Sequence, residues 1–400
     1  MNRSFAKSAN GILVCVSVML IMFINALTSP LLTNIAAELQ LDVATAGYLP
    51  TITTLFMGVA LFTATWMLSW FGLRFTVICA MLLVTAGSLC TFFLKSFFLQ
   101  LICRAFVGIG MGTMGTCFST IAATWFNGKG RSAFVTIYTL GNTLASYLAF
   151  IVAIPFFQLM GQSWRSCYLV TGVLSVVCTL GWILFGRNTP ADAAENTKSA
   201  GSHSIFREVL ADRDVWVLSA YHGLATLCTN VITNYLPSFL QLVRGFSADQ
   251  AANWSGIISL TGILGTIIGG SLSTWLGKRR PVLASGTLLS LLSMAGILLC
   301  KQPILIVICI GLFGFSARYR IPPTTSASTE LRANDSAFAA GAYAVMYAIG
   351  SFIGIFAPFV LSRATHLFGM ARSMLLFVAF LLIAFICSLF VRETGQSSAQ

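Results

Sequence analysis

Three arginines fall inside stretches of this chain that are otherwise apolar: Arg104, Arg318 and Arg320. An arginine at the centre of a membrane helix costs about 2.5–3.5 kcal/mol even on lenient insertion scales, so its presence asks for a purpose. All eleven Asp and Glu residues lie between or beyond the apolar runs, never within them. The positive charge is therefore left to carbonyls, water or an anionic solute. That pattern points to binding and moving an anion. No catalytic constellation and no cluster at metal-ligand spacing appears, so no enzyme activity, cofactor or metal is expected.

Arg318 and Arg320 are two residues apart and point about 200° away from each other on a helix, so one of the pair is expected to face a cavity. Arg318 is the preferred one, because it continues the small-residue face of Gly311 and Gly314. Pro322 removes the usual helical partner of the Arg318 carbonyl, a local break of the kind found beside pathways. A polar stripe, His222, Thr226, Asn230 and Thr233, recurs every three or four residues and so occupies one helix face. Its counterpart earlier in the chain is Asn25 and Thr28, with Ser29 adjoining. Such stripes either line a cavity or hydrogen-bond a neighbouring helix. His222 is the one histidine in an apolar run: it could carry a coupling proton or serve as a hydrogen-bonding residue. Tyr343 and Tyr347, one turn apart, could hold a ligand or pack. Gly350 and Gly354, with Pro358 beyond, form a small-residue face for close helix approach. "GIGMG" after Arg104 lies in an apolar run with no strand before it and is not a nucleotide loop.

The elements that must position these residues follow from composition. Hydrophobic residues make up 57% of the 400 and charged ones 8%, which excludes a single water-soluble core. Twelve apolar runs are long enough to cross a bilayer: 11–32, 47–69, 75–94, 97–124, 134–157 and 165–186, then 215–239, 251–276, 281–300, 303–327, 338–361 and 373–391. The first is read as a retained helix, since no small-residue cleavage site follows it. The expected fold is an all-α integral membrane protein with twelve transmembrane helices. Two six-helix halves, residues 1–186 and 215–400, flank a cytoplasmic linker at 187–214. With both termini inside, fourteen basic residues fall in inner segments and six in outer loops. That asymmetry satisfies the positive-inside rule, so the net charge of +12 is a topology signal and no nucleic-acid partner is expected. The eleven cysteines, mostly inside apolar runs, read as reduced packing residues.

The halves repeat. "SWFGLR" at Ser69–Arg74 is answered 205 residues later by "TWLGKR" at Thr274–Arg279. Arg131–Phe134 is answered by Asp335–Phe338, Arg165–Ser166 by Arg372–Ser373, and Asn25 and Thr28 by Asn230 and Thr233, at nearly the same offset. Two parallel halves imply pseudo-two-fold symmetry and a substrate site near mid-membrane. A glycine reverses a short turn at low steric cost, a basic neighbour anchors it, and Trp70 and Trp275 suit the headgroup boundary.

On these residues the chain resembles the major facilitator superfamily, twelve-helix type, over essentially its whole length. The loop signature of that family, G-x-x-x-D-[RK]-x-G-[RK]-[RK], is matched at Gly72 and Arg74, and again at Gly270, Gly277, Lys278 and Arg279. "CRAFVGIGMG" carries the fourth-helix signature at Arg104 and Gly108, and "SWRSCYLVTG" resembles the usual opening of helix six. The resemblance implies gating roles for Ser69, Gly72, Arg74, Arg104, Gly108, Thr274, Gly277, Lys278 and Arg279. Where the family has an Asp, this chain has Ser69 and Thr274, which predicts a gate held by neutral hydrogen bonds and basic residues. The drug-antiporter pattern is absent, as Gly141-Asn142-Thr143 has no proline beside it.

The expected function is a secondary active transporter of a small anionic solute working by alternating access, through exchange, facilitation or proton linkage. Asn25, Thr28, Thr226, Asn230, Thr233, Arg318, Arg320 and Tyr343 are the candidate substrate residues. The alternative is an exporter of amphipathic or drug-like compounds. Expected partners are the solute, a coupling proton or counter-anion, and the lipids of a plasma membrane (the inner membrane in a bacterium) around a monomer.

Overall fold

The structure is a computed structural model describing residues 3–125, 128–188, 203–331 and 336–394. The side chains of Ser69 and Arg131, and the whole of Lys198, Arg332 and Asp335, lie outside the described residues. The chain divides into two compact units, Met1–Ser199 and Ala200–Gln400.

In the first unit the helices are α1 (Arg3–Ala26), α2 (Leu32–Glu38), α3 (Val43–Ala46), α4 (Tyr48–Phe93), α5 (Phe97–Trp125), α6 (Gly128–Leu159) and α7 (Trp164–Phe185). The second holds α8 (His203–Ala211), α9 (Arg213–Leu242), α10 (Ala248–Leu276), α11 (Arg280–Leu299), α12 (Pro303–Tyr319), α13 (Ile321–Glu330), α14 (Ser336–Phe368) and α15 (Met370–Phe390). Among the described residues, twelve helical stretches are long and apolar enough to span a membrane. The chain is a multi-pass membrane protein.

Four spans, the first, second, third and tenth, depart from the expected boundaries for local reasons. The first helix stops at Ala26, short of 32, and the chain turns through Thr28 and Ser29 before α2. Pro30 follows directly, and its ring disfavours helix at the preceding residue. The second and third spans run together as α4, interrupted only at Gly72, whose φ of 76° and ψ of 171° suit glycine alone. The tenth span breaks between Tyr319 and Ile321, where Pro322 and Pro323 cannot donate to the preceding turn. Part of the linker, beyond residue 202, is the short helix α8.

Exposure sorts the faces. On α12, Leu305, Ile308 and Leu312 are exposed together; on α14, so are Phe352, Phe356 and Phe359. These apolar faces suit lipid. Trp70 and Trp275 are 71% and 81% exposed, as boundary anchors require.

With no hydrophobic drive between helices in lipid, association rests on close packing, and glycine carries it here. A Cβ on Gly108 or Gly112 of α5 would lie 2.4 or 2.3 Å from the carbonyls of Thr53 and Met57 on α4. In the second unit, a Cβ on Gly265 or Gly269 of α10 would lie 2.0 or 1.9 Å from the carbonyls of Phe315 and Tyr319 on α12. Backbone touches backbone at these points. Hydroxyls add clasps between helices, as in Ser290 with Ser316 at 2.8 Å and Ser175 with Thr85 at 2.9 Å.

Each unit also caps the carbonyl end of its third spanning helix with an arginine. Arg165 donates to the Thr91 and Leu94 carbonyls and pairs with Glu38 at 2.6 Å. Arg244 donates to the Ile297 and Leu298 carbonyls. A cation belongs at the negative end of a helix.

Gly265→Ala is expected to destabilise the protein by about 1–3 kcal/mol, the usual cost of overpacking. Gly311→Ala, where the nearest atom would be 3.6 Å away, should be tolerated. Thermal unfolding of the detergent-purified protein reads the difference, and equal melting of the two variants would refute the packing argument.

Candidate functional site

In the first unit, Arg104 on α5 is buried, at 2% exposure. Its guanidinium lies 4.0 Å from the centroid of the Tyr168 ring on α7, and the Tyr168 hydroxyl meets Thr28 Oγ1 at 2.9 Å. A ring face offers the cation electrostatic attraction without a carboxylate. The Arg104 Nε has no hydrogen-bond partner among the described residues. This arrangement corrects the expectation for Thr28. At 1% exposure and bonded to Tyr168, it ties the end of the first span to α7 and lines no open surface. Asn25, at the end of α1, stays partly exposed.

The second unit gathers more. On α9, Tyr221, Gly223, Ala225, Leu227, Cys228 and Val231 are buried, whereas His222, Thr226, Asn230 and Thr233 are each only partly so. The polar stripe is thus partly open in the middle of a helix whose ends, at Trp216 and Leu242, are exposed. It meets the glycine face of α14: a Cβ on Gly350 would fall 2.7 Å from His222 Cδ2, and one on Gly354 3.2 Å from Asn230 Nδ2. The His222 ring sits 4.7 Å from that of Tyr347, and Tyr347 sits 4.5 Å from Tyr343. The Tyr347 hydroxyl comes within 3.5 Å of Thr325 Oγ1 on α13.

The two arginines of the tenth span separate as their spacing predicts. Arg320, at the break between α12 and α13, is 5% exposed; its Nη2 donates to the Ala225 carbonyl and to Thr229 Oγ1, and its Nε to the Ala317 carbonyl. It is a strut between the tenth and seventh spans, which corrects its place among the substrate residues. The broken helix exposes carbonyls, and a guanidinium with five donors satisfies them. Arg318 is exposed, and its stem lies over Gly262 of α10. Among the described residues it makes no hydrogen bond and no ion pair.

The two turns differ. Gly72 is pinned by Asn188, whose side chain accepts from the Arg74 N–H at 2.9 Å, and the Arg74 guanidinium donates to the Ile183 carbonyl at 2.5 Å. That turn is held by neutral partners. Gly277 closes α10 in the left-handed region, at φ 59°. There the Lys278 carbonyl accepts a bond from Ser273, while Thr274 only bonds back to the Gly270 carbonyl. Arg279 forms two bonds to Glu330, at 2.9 and 3.0 Å, and the Glu393 carboxylate accepts from the N–H groups of Arg279 and Arg280. The bonds to Glu330 raise the Arg279 pKa above the ordinary arginine value, against the opposing effect of burial. A gate of neutral bonds was therefore the wrong expectation for the second turn. Its carboxylates come from the end of α13 and from beyond α15 instead of from position 274.

The Major Facilitator Superfamily sequence profile matches residues 14–355. The chain belongs to the Major Facilitator Superfamily. It is 22% identical to the hexuronate transporter of Escherichia coli (strain K12) over 242 residues, 54% of this chain and 55% of that protein. It is 23% identical to the cis,cis-muconate transport protein of Acinetobacter baylyi over 340 residues, 82% of this chain and 80% of that one. The chain thus spans about half the length of the hexuronate transporter. A bacterial homologue of the human lysosomal transporter Spinster, solved inward-facing and unoccupied, superposes with a TM-score of 0.82 at 17% identity, covering 96% of this chain and 97% of that one. The superfamily fold is common to both.

Sequence reasoning overlooked Glu330, Glu393 and Asn188. The first had a usable signal: it is the one acid directly at the end of the tenth run, and the other repeat has Trp125 there. Glu330→Gln is expected to lower unfolding stability by about 1–3 kcal/mol, as charge-assisted bonds to Arg279 are lost. Thr274→Ala should stay within about 0.5 kcal/mol of the unmodified protein. Chemical or thermal unfolding decides, and the reverse order would restore the hydroxyl as the turn's fastener.

Proposed function

We propose that this chain is a secondary active transporter that carries a small organic anion across the membrane by alternating access. The proposed setting is a bacterial inner membrane, with both termini cytoplasmic. The observation that carries the reading is Arg318: an exposed guanidinium in a spanning segment, without a protein counter-charge among the described residues. Of the two other arginines set deep in the spans, Arg104 is met by a tyrosine ring and Arg320 by carbonyl and hydroxyl groups. A carboxylate or sulfonate arriving at Arg318 would gain paired, charge-assisted bonds that offset its own dehydration. The two relatives are named for hexuronate and cis,cis-muconate, both carboxylates, which supports the same solute class.

Arg320 gives its Nε and Nη2 to carbonyl and hydroxyl partners, which leaves Arg318 as the proposed contact for the anion. Because Arg318 keeps its charge at any physiological pH, one anion can replace another without a titrating group. Anion exchange is therefore the mode we propose, with His222 as the place through which a proton would couple if exchange were insufficient.

In proteoliposomes, uptake of labelled galacturonate, cis,cis-muconate or sulfoacetate should accelerate when the vesicles are preloaded with the same anion. Arg318→Gln should cut uptake at subsaturating anion by about tenfold or more, the weight of a lost charge-assisted pair. Unchanged uptake in that variant would sink the anion reading; transport of a lipophilic cation in its place would favour the exporter alternative. For coupling, the ratio of uptake with and without a pH gradient should be the same in His222→Gln as in the unmodified protein. A gradient-driven accumulation that disappears in His222→Gln would assign the proton to that residue.

A further inference from the structure

Residues 1–188 contain two carboxylates, Glu38 and Asp42, and both are engaged. Glu38 pairs with Arg165, and Asp42 accepts from the Thr45 N–H where α3 begins. Neither is left for Arg104, which is among the largest fully buried side chains. Among the described residues its guanidinium makes no hydrogen bond and no ion pair. The contact it makes is with the Tyr168 ring, at 4.0 Å. A ring face attracts a cation, but it supplies no lone pair for five N–H donors. Buried charges are otherwise paired or coordinated, and this one is short of a partner.

A pair of hydroxyls stands at the rim of the same ring. Tyr168 Oη and Thr28 Oγ1 are 2.9 Å apart, both side chains are buried, and either oxygen can be the donor. The pair owns two protons, and its mutual bond uses one. Neither side chain makes another hydrogen bond among the described residues, so one O–H remains to be given. The end of the first span, α5 and α7 thus bring together hydrogen-bond donors around a positive charge. Water answers donors, but it leaves the charge unmet and brings two protons that need acceptors themselves. An anion answers both. Arg318 is exposed and suits a solute that comes and goes; Arg104 is enclosed and suits a small ion that stays. The positions 205 residues after Arg104 and Tyr168 are Cys309 and Ser373, so the second repeat has no copy of this cluster.

We propose that the first unit binds one small inorganic anion, of the size of chloride, between Arg104 and the Thr28–Tyr168 hydroxyl pair. The ion receives guanidinium N–H groups and the remaining O–H, and it ties the end of the first span to α5 and α7. It is a resident counter-ion, separate from the transported solute. The assignment holds whichever solute Arg318 takes.

Equilibrium dialysis of labelled chloride against the whole detergent-purified chain tests this. One saturable chloride per chain is expected, displaced by bromide and left in place by galacturonate and cis,cis-muconate. Arg318→Gln should bind the ion as the unmodified protein does, whereas Arg104→Gln should lose it. Arg104→Gln alters a buried group and can fail to fold, so Thr28→Val combined with Tyr168→Phe gives a second reading. It removes both hydroxyls and keeps the ring. That double variant should bind chloride about tenfold more weakly, the weight of one hydrogen bond to a charged group. Absence of saturable chloride in the unmodified protein would overturn the proposal. So would full affinity in a folded Arg104→Gln or in the double variant. Displacement by galacturonate, or loss in Arg318→Gln alone, would place the ion in the solute site and likewise overturn it.

Discussion

A positive charge placed among apolar helices must be neutralised by something, and in this chain the spans supply no carboxylate to do it. That shortage organises the interior. Arg104 spends its charge on a tyrosine face, and Arg320 on the carbonyls released by a broken helix. Both solutions tie helices together: α5 to α7, and the tenth span to the seventh. Carboxylates enter only at helix ends, where Glu38 meets Arg165 and Glu330 meets Arg279. Arg318 differs from these two in making no side-chain bond or ring contact among the described residues, and there the proposed solute would bind.

Such an economy needs helices close enough for single donors to reach across. Glycine facing carbonyl provides the approach, and glycine also makes room for polar side chains between helices. Gly262 makes room for the arginine's stem, and Gly350 makes room for the imidazole of His222. Packing and binding are thus the same geometry seen at different depths. A residue with a side chain at either glycine would displace a group that the site uses.

The architecture was legible in the sequence because bilayer thickness imposes a length and a polarity that few other constraints mimic. The polar stripe of the seventh span was legible for the same reason: its period placed His222, Thr226, Asn230 and Thr233 on one face, and that face is partly open. The separation of Arg318 from Arg320 followed from their angle on a helix, and the preference for Arg318 from the small-residue face of Gly311 and Gly314. What the sequence hid was pairing across the fold. Thr28 looks like Thr233 by position, but only the fold brings Tyr168 to its hydroxyl. Glu393 is far from Arg279 in the chain, so no local pattern could show that it supplies the missing carboxylate of the second turn. The break at Arg320 was visible as Pro322, whereas the first run was expected to continue to residue 32, past Pro30, and its end at Ala26 shows only in the fold.

The glycine contacts carry an implication about ancestry. In both units the fourth helix of the repeat carries a glycine that receives a carbonyl of the second: Gly108 and Gly112 meet Thr53 and Met57, and Gly314 meets Ile258. The second unit adds the reverse contact, Gly265 and Gly269 of its second helix receiving the Phe315 and Tyr319 carbonyls. The positions 205 residues earlier hold Ala60 and Ala64. A chimera that moved that helix into the second unit would set a methyl group where the carbonyls leave no room for one. The repeats remain recognisable relatives, but they are no longer interchangeable parts.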